Sequence, residues 1–146
     1  MKKAMLFLLI LTIGSALFAQ QTYRIGDHGP AGGIVFYDKG HYSNNWRYLE
    51  VAQTDFGVNI DYNTAWNSVW NLTINGVSGW VIPDIYELEL IYNNLKNNGW
   101  GNFGNNWYWS SNSDKFKGIW VMSFGNGRIF MVQDNARYNA RAIRRF

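Results

Sequence analysis

A chain that leaves the cytoplasm without a single cysteine has to hold itself together by packing alone, and this sequence reads as such a chain. Its opening residues, MKKAMLFLLILTIGSALFAQ, set Lys2 and Lys3 before an apolar run from Ala4 to Ile13, with small residues near Ala19. That is the three-part layout of a secretory signal peptide. The run is too short to favour a retained spanning helix, and no cysteine follows that could carry a lipid. Cleavage after Ala19 leaves residues 20–146, which at 127 residues fit one domain. Without Lys2 and Lys3 the formal net charge falls from +3 to +1, so the basic isoelectric point is no argument for nucleic acid. The expected location is periplasmic, cell-surface or secreted, with no stable membrane insertion after cleavage.

With disulfides and thiolate chemistry both absent, stability falls to eight Trp, nine Tyr and nine Phe. Each ring fully buried contributes roughly 1.5–3 kcal/mol. Eighteen asparagines sit mostly between the apolar runs, where Asn favours turns and loops. The pattern predicts a rigid aromatic core with many polar loops.

Gly32-Gly33 leads into a β-branched and aromatic strand, Ile34 to Tyr37, with a turn at Asp38-Lys39-Gly40. Arg47 to Ala52 alternates and reads as its partner. Residues 55–63 read as loop, and Thr64 to Leu72 as a short helix with Ala65, Val69 and Leu72 at helical spacing. Residues 75–79 are a turn. Trp80 to Pro83 is extended, because proline turns the residue before it away from helix. Asp84-Ile85-Tyr86-Glu87 has the form of a capping box, and Leu88, Ile91, Tyr92 and Leu95 follow at i, i+3, i+4 and i+7, so a helix is predicted over 84–96. A Gly/Asn-rich loop, 96–106, precedes strands at 107–111, 118–124 and 128–133, the last two joined through Gly125-Asn126-Gly127 as a hairpin. Residues 139–146 read as one final strand. Strands, two helices, then strands is an α+β order.

The glycines of HGPAGGIVFYDKG invite a phosphate reading. A nucleotide loop needs a helix after its glycines, because the helix N-terminus faces the phosphate. Here a strand follows, so the glycines read as a close-packed entry into it. A lone Gly-Pro-Ala triplet makes no collagen helix. His28 and His41 are the only histidines and form no zinc pattern. Ser110-Ser111 lacks the setting of a catalytic nucleophile. Asp84, Glu87 and Glu89 are the one acidic cluster that could serve glycoside hydrolysis, though the first two already read as helix caps. Asp114 and Asp134 could contribute to calcium binding, but no D-x-D-x-D-G loop is present. Arg128, Arg137, Arg141, Arg144 and Arg145 suggest a polyanion patch, yet alternation along one strand would put Arg141 and Arg145 on one face and Arg144 on the other. Trp100, Asn102, Asn105, Asn106 and Trp107 suit a sugar, since indoles stack on pyranose rings and amides bond hydroxyls. With Arg137 they form the candidate ligand-binding set.

Six segments occur in one order: YRIGDHGPAGGIVFYDKG, WRYLEVA, GWVIPDIYEL, YWSS, FGNG and ARAIRRF. Together they resemble the Fibrobacter major paralogous domain, also met at the C-terminus of Legionella collagen-like adhesins, over Tyr23 to Phe146. The family pattern reads G-G-I-V-F-Y, W-x-L-P-[ST]-x-x-E-L, Y-W-S-S and V-R-A-V-R. Asp84 replaces its usual Ser or Thr cap, and Ile82 its usual Leu. The resemblance implies a C-type-lectin-like α+β fold on exported or surface-attached proteins, most without an assigned activity. The adhesin relatives bind sulfated glycosaminoglycans, but this chain has no collagen-like stalk. Formylglycine-generating enzymes on the same fold need cysteines, which this chain lacks. The expectation is therefore an exported binding domain without catalysis, cofactor, metal or nucleic-acid partner, holding a glycan or a surface-protein ligand in its Gly/Asn/Trp loop. The alternatives are a carboxylate-based glycoside hydrolase, and a small outer-membrane barrel in which Tyr138, Ala140, Ala142, Arg144 and Phe146 share the lipid face.

Overall fold

Neighbouring residues of one strand divide the interior of this protein in two. In the computed structural model, which describes residues 21–146, Trp109 belongs to one hydrophobic cluster and Tyr108 to the other. Both rings are fully buried. Successive side chains of a strand point to opposite faces, so their sheet lies between two cores. The expected signal peptide, residues 1–19, lies outside the described residues.

The strands are β1 (Ile34–Ser43), β2 (Trp46–Val51), β3 (Gly57–Ile60), β4 (Trp107–Asp114), β5 (Gly118–Ser123), β6 (Ile129–Val132), β7 (Tyr138–Ala140) and β8 (Ile143–Arg145). The helices are α1 (Tyr62–Val69) and α2 (Ile85–Asn94), the latter followed by a 3-10 turn, Lys96–Asn98. The result is an α+β architecture with a three-stranded antiparallel sheet, β1-β2-β8, and a five-stranded mixed sheet, β3-β7-β4-β5-β6. Among the described strands only the β4–β7 pairing is parallel. One core packs α1, Trp80 and Ile82 against Trp109 and Val121. The other packs α2 and the three-stranded sheet against Tyr108, Met122 and Phe124. Among the described residues these are open sheets, and Ala140 and Ala142 are fully buried rather than turned outward.

The second helix follows its sequence signature closely. Asp84 accepts from the Glu87 N–H at 2.7 Å, and Glu87 accepts from the Asp84 N–H at 2.8 Å, completing the capping box. The first helix starts earlier than the apolar spacing suggests, because Asp61 caps it through the Thr64 N–H at 2.9 Å. It also ends earlier, at Val69.

Three expectations need correction. The first hairpin does not turn at residues 38–40. Its strand runs on to Ser43 with irregular register and turns at Asn44-Asn45, whose φ angles are 50° and 63°. Two positive φ values are what a type I′ turn requires, and Asn tolerates them. Residues 57–60, read as loop, form β3 against β7. Last, the single strand at 139–146 is two: β7 joins the five-stranded sheet and β8 the three-stranded one. The chain changes sheets at Arg141-Ala142, so simple alternation does not carry through.

The glycine stretch does hold an anion, and it is the protein's own. The Glu50 carboxylate, wholly buried on β2, accepts from the Gly33 N–H at 3.0 Å and the Ala31 N–H at 3.4 Å. Arg144 on β8 completes the set at 3.1 Å. A Cβ on Gly33 would lie 2.8 Å from the Val51 carbonyl and 2.9 Å from a Glu50 carboxylate oxygen. Glycine here is a requirement of close approach. Arg144→Ala, which strands a buried carboxylate, should lower unfolding free energy by about 3–5 kcal/mol in urea titration. Adding Glu50→Gln should recover part of that loss; simple additivity of the two changes would show that the groups do not interact.

Candidate functional site

The Gly/Asn/Trp segment is anchored before it presents anything. Phe103 plugs into the α2-side core, with its ring centroid 5.1 Å from that of Phe124. The Lys96 ammonium donates to the Phe103 carbonyl at 2.9 Å. Arg141 lies over the Phe103 ring at 4.2 Å and donates to the Gly101 carbonyl at 3.0 Å. Gly99, Gly101 and Asn102 all have positive φ, which gives the tight path between these anchors.

The anchoring separates the six candidate ligand-binding residues. Trp100 is 47% exposed, and its ring lies against Gly26 on the N-terminal turn, where a Cβ would come within 2.8 Å. Asn102 is exposed in the same part of the loop. The other four come together. Asn105, Asn106, Trp107 and Arg137 line an open cavity of about 420 Å³ with Val58, Asn59, Tyr138 and Asn139. Neither Trp100 nor Asn102 is among its walls.

Each wall has a local cause. Trp107 begins β4, half-buried, stacked on Phe130 of β6 at 5.3 Å and tilted against Tyr138 at 6.2 Å. Asn106 is tied by its carbonyl to the Phe124 N–H at 2.8 Å, which leaves its side chain exposed. Arg137 precedes β7, and its Nε donates to the Asn59 carbonyl at 3.0 Å. Its other guanidinium donors, and the amides of Asn105 and Asn106, have no hydrogen-bond partner among the described residues. Asn139 is committed instead: its oxygen accepts from the Asn59 N–H at 3.2 Å and its amide donates to Asp55 at 2.8 Å. The cavity thus combines one fixed guanidinium with two free amides beside an indole. This set can hold hydroxyls or a carboxylate through several donors. Asn59, with φ of 53°, comes from the strand that the sequence hides as loop.

Three of the remaining arginines are committed to internal pairs rather than to a polyanion patch. Arg141 is buried and pairs with Asp55, Arg144 pairs with Glu50, and Arg145 pairs with Glu87 at 2.5 Å. Asp55 also accepts from the Tyr108 hydroxyl at 3.3 Å. Burial, reinforced by that carboxylate, pushes the Tyr108 phenol up from its ordinary range.

Two of the three clustered acids serve the fold. Asp84 and Glu87 belong to one helix N-terminus and bond each other's backbone, and Glu89 is half-buried further along the same helix. Asp114 and Asp134 share the lining of a separate open cavity, of about 320 Å³, but Asp114 already caps the turn at Phe116 and Lys117. No group of three or more metal-ligating His, Cys, Asp or Glu side chains occurs among the described residues. No described helix is long and apolar enough to cross a membrane. Compared with known proteins, the chain matches no family model and no curated protein sequence.

Burial raises the Glu87 carboxyl above the usual glutamate range, more than the Asp84 N–H and Arg145 lower it. A group raised in this way favours the fold while protonated, and that contribution is lost as pH rises through its folded value. Glu87→Gln keeps the capping geometry. In urea midpoints from pH 4 to 8, the variant should therefore gain on the wild type as pH increases; a constant or shrinking difference contradicts this.

Proposed function

We propose that this is an exported, non-enzymatic binding domain of C-type-lectin-like fold that recognises a carbohydrate, or another hydroxyl- and carboxylate-bearing surface ligand, in the Arg137 cavity. The observation that carries this reading is the meeting of Asn105, Asn106, Trp107 and Arg137 at one opening, with donors left over after the fold's own bonds are counted. Neutral amides and one guanidinium bind hydroxyls and acidic sugar substituents by geometry rather than by bulk charge. The ordered motifs from Tyr23 to Phe146 support the lectin-like fold, as does an α+β body whose last strand pairs with its first hairpin. The lysine-led apolar segment at the N-terminus supports export.

Function on such a scaffold resides in loops held by a rigid body, and the anchoring of Phe103 under Arg141 supplies that rigidity. The carboxylate-hydrolase alternative has no comparable support, because Glu87 is engaged in capping and pairing and Asp84 caps the same helix. A glycan array followed by calorimetry tests the proposal. Arg137→Ala and Asn106→Ala should each weaken the selected glycan about 10-fold, the equivalent of roughly 1.4 kcal/mol, whereas Trp100→Ala should leave affinity unchanged. Loss with Trp100→Ala and retention with Arg137→Ala would move the site to the N-terminal turn.

A further inference from the structure

A second cavity, also of about 420 Å³, opens beside α1, and its chemistry differs from that of the Arg137 site. Trp66 on α1 and Trp70, its C-cap with helical φ and ψ, wall it from one turn apart, at 39% and 72% exposure. Such i, i+4 residues share a helix face. Their ring centroids are 6.2 Å apart and their planes stand at 75°. Trp80, Val69 and Ile82 line the same space from the core. The Trp80 N–H is occupied by the Val77 carbonyl at 2.9 Å, so this indole offers the cavity no hydrogen bond.

The polar lining is Asp84, Glu87, Ser111 and Arg145. Glu87 spends one oxygen on the Asp84 N–H and the other on Arg145. Asp84 spends Oδ1 on the Glu87 N–H, while its Oδ2 has no hydrogen-bond partner among the described residues. Two carboxylates against one guanidinium leave the lining with an excess of negative charge.

A flat pyranose ring can stack on one of two indoles set at 75°, but not on both. A compact tetrahedral cation carrying methyl groups can touch both. Indole faces attract cations through the ring quadrupole, and alkylated ammonium groups in aromatic corners are a recurring use of that attraction. The negative lining adds charge complementarity. We propose that this cavity binds the quaternary ammonium head of a choline-type ligand, with Trp66 and Trp70 as its walls and Asp84 as its counter-charge. The proposal is independent of the Arg137 site.

Titration of the exported protein with choline chloride, followed by tryptophan fluorescence and calorimetry, tests this. The matched control is 3,3-dimethyl-1-butanol, the neutral carbon isostere of choline. Choline should saturate, and the isostere should bind about 10-fold more weakly. Trp70→Ala should weaken choline by a similar factor. Asp84→Asn, which retains a good helix cap, should weaken it several-fold with unchanged circular dichroism, and Arg137→Ala should not affect it. Sedimentation with phosphatidylcholine but not phosphatidylglycerol vesicles assigns the head to a lipid. Choline binding without vesicle binding assigns it to a soluble ligand, and both support the proposal. Equal binding of choline and its isostere, tighter binding of methyl glucoside than of choline, or no binding of choline overturns it.

Discussion

Three arginines from the last six residues each close on a carboxylate from a different part of the chain: Arg141 on Asp55, Arg144 on Glu50 and Arg145 on Glu87. The C-terminal segment is thereby clasped to the loop after β2, to β2 itself and to the first turn of α2. Desolvation offsets much of the attraction in buried pairs of this kind. Their consequence is the penalty on every other register, since a one-residue slip would strand a charge in the core. In a chain without disulfides, this clasp sets where β7 ends and β8 begins, and hence how the two sheets share one strand segment.

The same clasp reaches both ends of the fold. Glu50 bonds Arg144 on one side and the amides of Ala31 and Gly33 on the other. The glycine-rich entry, the first hairpin and the last strand therefore meet at one carboxylate. Arg141, through the Gly101 carbonyl and the Phe103 ring, also fixes the loop that leads to Asn105 and Asn106. The Arg137 cavity thus opens at the end of a supported path.

Much of the local structure was legible in the sequence. The capping box at Asp84 and the Gly125-Asn126-Gly127 hairpin involve bonds within a few residues, so the residues that need one another are adjacent in the text. The misread elements depend on distant partners. β3 is four residues long and exists through β7, about eighty positions away in sequence. The Asn44-Asn45 turn is hidden in the sequence because the nearer Asp38-Lys39-Gly40 has the better-known turn composition, yet the strand runs past it. Of the candidate ligand-binding residues, Arg137 and the Asn105–Trp107 run converge, while Trp100 and Asn102 stand apart, because Gly26 gives Trp100 a flat seat on the N-terminal turn. Trp66 and Trp70 were visible as neighbours of the helix stripe, but their shared cavity needs Trp80 and Arg145 brought in from elsewhere.

The amino-acid sequence by itself determined the α+β class, the Asp84 capping box, the Gly125-Asn126-Gly127 turn and the lack of any thiol or clustered-histidine chemistry, because these follow from residue type and short-range geometry. Tertiary structure alone decided which acid meets which arginine and where the final segment changes sheets. It also decided which aromatic rings are left facing solvent. Those outcomes depend on contacts between residues far apart in the chain, where burial makes a charge or an indole find a partner that no local pattern names.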